Sequence, residues 1–176
     1  MQKRITKPLL IVTLILVGIF LISHTNNTRK EPSPKPEISP KVTGKFDTDS
    51  MKSDEQWKYI LTPEQFRILR KGETEIPFTG ELNTEKRKGT YYSQGCDKPV
   101  FRSEQKYDSG TGWPSFWAPI DEKSLILKLE EDGRIEVMDT CGGHLGHVFD
   151  DGPQPTGKRY CMNSVALKFV PDEDQK

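Results

Sequence analysis

The sequence predicts a mainly β domain of antiparallel sheets, with one or two short helices at its front and a membrane segment ahead of it. Three observations carry that reading. An unbroken apolar run from Leu9 to Ile22 follows Lys3, Arg4 and Lys7. A helix-start signature, Thr62-Pro63-Glu64-Gln65, opens the folded part. Beyond Pro77 the pattern changes to short runs suited to strands, punctuated by Gly, Asp and Pro corners.

In chain order, the basic flank and apolar run read as an uncleaved signal-anchor over residues 1–24, with a cleaved signal peptide as the alternative. The run is short for a hydrocarbon core that normally takes about 20 apolar residues to cross. The positive flank stays in the cytoplasm, which puts the remainder outside it, in the periplasm or cell envelope; after cleavage the protein is secreted. Residues 25–52 read as a Pro-rich spacer, because Glu31-Pro32-Ser33-Pro34-Lys35-Pro36 and Ser39-Pro40 favour extended polyproline geometry. The domain is expected over residues 53–172, with a tail at 173–176. Thr62 caps a helix that carries Phe66, Ile68 and Leu69 on its apolar face and ends at Lys71-Gly72. Strands are expected at Thr90–Ser93, Ser124–Leu129, Arg134–Met138, Lys158–Met162 and Val165–Val170, with a hairpin corner at Glu131-Asp132-Gly133 and a sharp turn at Asp151-Gly152-Pro153.

Composition narrows the function. The formal net charge of the 176-residue chain is +0, which removes the electrostatic case for nucleic acid. Its 3 cysteines are an odd number, so any pairing leaves one thiol over. Three segments hold unusual residues: a glycine-punctuated loop presenting Trp113; His144-Leu145-Gly146-His147-Val148-Phe149; and Arg159-Tyr160-Cys161-Met162-Asn163-Ser164. Singly each has an ordinary reading: a buried inert thiol, metal-ligating or surface histidines, a packing tryptophan. Together they suggest more. Strand alternation puts Arg159, Cys161 and Asn163 on one face, where a cation and a hydrogen-bonding group favour thiolate. Histidines three apart lie on opposite faces of a regular strand, so Gly146 is expected to kink the chain and let them converge. The chemistry indicated is thiolate attack on a soft electrophile with an apolar flank.

The strings SGTGWPSF, HLGHVFDDGP and RYCMNS, with FTGELN and KYDSG, resemble the B-type methionine sulfoxide reductases, which act on the R-epimer of the sulfoxide. The resemblance runs from about Trp57 to Pro171, and three ordered motifs at matching intervals are far more specific than any one. It implies tent-like antiparallel sheets, oxidised proteins or peptides as substrates, no cofactor, and an external thioredoxin-like thiol as reductant. It implies Cys161 as the nucleophile that becomes a sulfenic acid, and His144 and His147 as the pair that positions and protonates the sulfoxide oxygen. Trp113, with Phe149 near it, packs against the substrate methyl group. Arg159 and Asn163 support the thiolate, and Asp151 orients a histidine.

The sequence departs from the family in two places. Many relatives hold a structural zinc in two CxxC knuckles, but here Ser93 and Met138 stand at the first position of each. Two thiols cannot satisfy tetrahedral zinc, so no metal is expected, and Cys96 and Cys141 are expected to form a disulfide instead. Thr111 stands where many relatives have a resolving cysteine. An external thiol therefore reduces Cys161 directly, or Cys96 or Cys141 resolves it. Two other classes compete: a non-catalytic reader of oxidised methionine on the same fold, and a cysteine hydrolase, which leaves Trp113 unexplained.

Overall fold

The protein is represented by a computed structural model that describes residues 44–174. The expected signal-anchor and most of the spacer lie outside the described residues. Among the described residues no helix is long and apolar enough to cross a membrane.

Two short helices come first, each started by a reciprocal cap. In α1 (Asp54–Ile60) the Ser53 hydroxyl accepts from the Gln56 backbone while the Gln56 side chain accepts from the Ser53 backbone. In α2 (Pro63–Lys71) Thr62 and Gln65 do the same with Pro63 in the first turn, and Gly72 ends the helix at φ 69°. Ile68 and Leu69 of α2 and Trp57 of α1 are buried, so the pair packs by one face onto the sheets.

Nine strands follow: β1 (Gly89–Ser93), β2 (Pro99–Arg102), β3 (Lys106–Tyr107), β4 (Ser115–Phe116), β5 (Leu125–Leu129), β6 (Ile135–Asp139), β7 (His144–Phe149), β8 (Arg159–Met162) and β9 (Leu167–Pro171). They make a three-stranded sheet in the order β2-β1-β9 and a six-stranded sheet in the order β3-β4-β8-β7-β6-β5. Every pairing among these strands is antiparallel. The sheets meet over aromatic rings: Phe101 of β2 stacks on Phe116 of β4 at 4.3 Å, and Tyr91 of β1 meets the same ring edge-on at 4.9 Å. Tyr160 of β8 lies 5.8 Å from Phe101. This contact commits one face of the six-stranded sheet to the core and leaves the other for chemistry.

Element bounds differ from the expectation at several points, among them Arg134 and Lys158, which precede β6 and β8 rather than opening them. Residues 47–50 are not free spacer, because Asp47 pairs with Lys98 at 2.6 Å and its backbone N–H donates to the Thr140 carbonyl at 2.8 Å. A short-range charge pair and a backbone bond dock a segment whose composition alone reads as tether. The expected first residues of two strands, Ser124 and Val165, lie in 3-10 turns (Glu122–Ser124 and Ser164–Ala166). The strands β2, β3 and β4 hold four residues or fewer, too short for a period to stand out.

Candidate active site

The antiparallel register builds the site as one row across the six-stranded sheet. Lys128 lies opposite Glu136, Glu136 opposite His147, His147 opposite Cys161, Cys161 opposite Ser115 and Ser115 opposite Tyr107. Directly opposed residues share a face, so all six side chains leave the sheet on the side away from the aromatic core. His144 joins that face through a bulge. It stands opposite Met138, and Gly146 stands opposite Val137, so Leu145 is one extra residue in β7. That insertion turns a three-residue spacing, which a regular strand would split, into two histidines on one face with ring centres 5.3 Å apart. Gly146 is required there because a Cβ would collide with the Cys161 carbonyl oxygen. The Leu145 carbonyl, released from the ladder, accepts from the Asn163 backbone at 2.8 Å and from its side-chain amide at 3.1 Å.

Each imidazole is held by a carboxylate. His144 Nδ1 lies 2.9 Å from Glu136 Oε1, and His147 Nε2 lies 2.8 Å from Glu130 Oε2. The His144 hydrogen bond holds the Glu136 carboxyl below its usual range, so at neutral pH it only accepts, and Nδ1 of His144 carries the proton. Nε2 of His144 is buried with no hydrogen-bond partner among the described residues. Burial holds the His147 imidazole below its ordinary value, against the pull of Glu130.

Cys161 is a half-exposed free thiol. With Trp113, His147, Phe149, Asn163, Thr74 and Arg134 it lines a cavity of about 150 Å³. A larger cavity of about 600 Å³ around Arg87 and Lys106 contains neither thiol nor histidine. The Thr111 hydroxyl lies 3.7 Å from the Cys161 sulfur, and Ser109 links it to Ser115 through bonds of 2.8 and 2.7 Å. Arg159 lies over the Phe149 ring at 4.3 Å; its guanidinium is raised chiefly by Asp151, then lowered by burial and raised again by Cys161. The Asp151 carboxylate forks onto Arg159 at 2.8 and 2.9 Å, because the β7–β8 connection returns it beside the start of β8.

Three residues outside the expected set organise the site. Glu136 and Glu130 read in the sequence as ordinary strand and hairpin charges, and only pairing across the sheet brings them to the histidines. Glu75 is buried. Its carboxylate accepts from the Ser164 and Val165 backbone at 2.7 and 3.1 Å, its carbonyl accepts from Trp113 Nε1 at 3.1 Å, and its N–H donates to the Asn163 side chain at 3.0 Å. In the sequence Glu75 is one of two glutamates in Glu73-Thr74-Glu75, with nothing to mark it for that role.

Cys96 and Cys141 are joined in a disulfide. One carboxylate oxygen of Asp139 lies within 4.8 Å of both sulfurs, but that carboxylate already accepts from the Ser93 hydroxyl and from the Cys141 and Gly143 backbone. Ser93 and the disulfide together leave no donor set suited to tetrahedral zinc.

A thiol beside a carboxylate-held imidazole, in a small cavity with an aromatic wall, defines a cysteine-dependent site on an antiparallel β scaffold. The comparisons with known proteins make that class particular. A SelR domain matches residues 61–171. The peptide methionine sulfoxide reductase MsrB of Methanosarcina barkeri is 51% identical over 129 residues, covering 71% of this chain and 91% of the relative. The MsrB proteins of Hahella chejuensis and Leptospira interrogans are each 52% identical, over 122 and 124 residues; each match covers 67% of this chain, and 88% and 93% of those relatives. The chain belongs to the MsrB family of peptide methionine sulfoxide reductases.

Proposed function

We propose that this domain reduces the R-epimer of methionine sulfoxide in proteins or peptides, with Cys161 as nucleophile and an external thioredoxin-like thiol as reductant. The observation that carries the reading is the pairing of Cys161 with His147 across β7 and β8, at a cavity walled by Trp113 and Phe149. The Cys161 thiolate attacks the sulfoxide sulfur, while the histidine pair delivers a proton to its oxygen. The hydroxyl so formed passes from the substrate sulfur to Cys161 as the new sulfur–sulfur bond and the substrate's sulfur–oxygen bond break, so methionine leaves and Cys161 is left as sulfenic acid. One external thiol then displaces water to form a mixed disulfide, and a second releases Cys161. Arg159 favours the thiolate, and the indole of Trp113 packs against the substrate methyl group. Thr111 cannot form a disulfide, and Cys96 and Cys141 are tied to each other, which supports direct reduction by the external thiol.

The N-terminal charge pattern supports an anchored domain outside the cytoplasm, and a disulfide suits an oxidising compartment. The catalytic test is incubation of a racemic methionyl sulfoxide peptide with dithiothreitol, followed by chiral analysis. Loss of the R-epimer alone is expected, and Cys161→Ser is expected to abolish it, because an alcohol is a far poorer nucleophile than a thiolate. Binding of the sulfoxide peptide without turnover by the unaltered protein is the result that favours a non-catalytic reader.

A further inference from the structure

Two large apolar side chains stand in solvent beside the site: Ile76 is 71% exposed and Phe78 69%. Single exposed apolar residues are ordinary. These two differ in what holds them there. Between them and the pocket, Glu75 anchors the strap to the Trp113 indole, to Asn163 and to the turn after β8, through the hydrogen bonds given above. Phe78 adds a fifth bond, its N–H donating to the Gly112 carbonyl at 2.8 Å, one residue before Trp113. Glu75 is buried while its neighbours Thr74 and Ile76 are exposed, and Thr74 itself lines the cavity. Phe78 sits at φ 67°, a left-handed conformation that bulky residues seldom adopt, where Gly or Asn would be at ease. Backbone strain kept in place by surrounding bonds is a mark of ligand clamps.

We infer that Ile76 and Phe78 form an apolar ledge that receives an apolar side chain one or two positions from the methionine sulfoxide of an extended polypeptide substrate. The inference rests on the reductase reading and adds a substrate class to it. Two residues of extended chain reach at most about 7 Å, and Ile76 follows the cavity-lining Thr74 by two residues. The cations of the site are already paired, Arg134 with Glu130 at 3.3 Å and Arg159 with Asp151 at 2.8 Å, whereas Ile76 and Phe78 present apolar surface to solvent. Methionines are commonly buried among apolar neighbours, and oxidation makes the side chain polar and disrupts such cores. Chains unfolded in this way carry the flanks the ledge fits.

The experiment compares kcat/KM for three substrates: N-acetyl-methionine-R-sulfoxide amide, a pentapeptide with that residue between leucines, and one with it between aspartates. The wild-type protein is expected to prefer the leucine-flanked peptide over the aspartate-flanked one by about tenfold, the scale of one partly buried aliphatic side chain. In Ile76→Ser with Phe78→Asn that ratio is expected to fall to about one. Because Phe78 touches the Trp113 loop, Ile76→Ser is measured alone as well, and a lower ratio is expected there too. A wild-type ratio of one, or variants that keep the wild-type ratio, overturns the ledge and leaves the reductase reading standing. No reduction of any of the three substrates by wild type overturns the reductase reading itself.

Discussion

At the scale of single residues, the site depends on carboxylates that the motifs do not contain. Glu136 fixes which nitrogen of His144 is protonated, so its removal alters orientation before it alters charge. Glu136→Gln is expected to lower kcat by up to about 100-fold, the low end of what positioned proton transfer contributes. It should also change the pH dependence of stability. The Glu136 carboxyl is held below its ordinary 4.5 by the His144 bond, so the native state binds fewer protons than the unfolded chain in that window. The stability it contributes is therefore present above about pH 4.5 and lost as pH falls through the lowered native value. Urea unfolding of wild type and Glu136→Gln between pH 3 and 7 checks this: their difference should be constant above pH 5 and shrink in acid. A difference that grows in acid contradicts the assigned pairing.

At the scale of elements, the extra residue in β7 makes the histidine pair. The bulge costs one ladder position, and the Asn163 side chain and backbone recover the freed Leu145 carbonyl. Gly146 is the element's weak point, since any side chain there strikes the backbone of β8 at Cys161. Gly146→Ala is expected to destabilise the domain by about 1–3 kcal/mol, the usual cost of forcing extra volume into packed structure. Because the displaced strand carries the nucleophile, activity at a temperature where the variant is fully folded should fall by at least tenfold. Thermal melts with assays well below the transition separate the two effects. Full activity in a folded variant means that the backbone approach at Gly146 does not set the position of Cys161.

At the scale of the whole molecule, the Cys96–Cys141 disulfide ties the β1–β2 turn of one sheet to the β6–β7 turn of the other. Asp139, buried beneath it with its carboxyl pushed up by burial, ties the same two turns through Ser93. Closing a loop with a sequence separation of 45 restricts the unfolded chain by about 4 kcal/mol on the chain-entropy model. Cys96→Ser with Cys141→Ser is expected to lose most of that stability in denaturant unfolding. It is expected to keep its rate at 25 °C with dithiothreitol, because Cys161 stands in β8 and neither turn lines its cavity. Loss of turnover in the folded double variant would make those cysteines part of the reaction rather than of the scaffold.

The local signals were legible in the sequence alone: the Thr62 cap, the Glu131–Gly133 corner, five of the nine strands, and the thiol, indole and histidines whose spacing matches a family. Each depends on neighbours within a few residues, where backbone propensity and capping act. The sequence also carried the absence of two knuckle cysteines, and hence the spare pair at Cys96 and Cys141. What only the tertiary structure decided is which side chains meet across strands. The row from Lys128 to Tyr107 draws on six strands, and Glu75 reaches residues 88 to 90 positions away. Register in an antiparallel sheet is set by pairing and by a single inserted residue, and one step of slippage would send every side chain to the other face. The partners of His144, His147 and Trp113 are therefore properties of the folded sheet, while the identities of those residues were already in the chain.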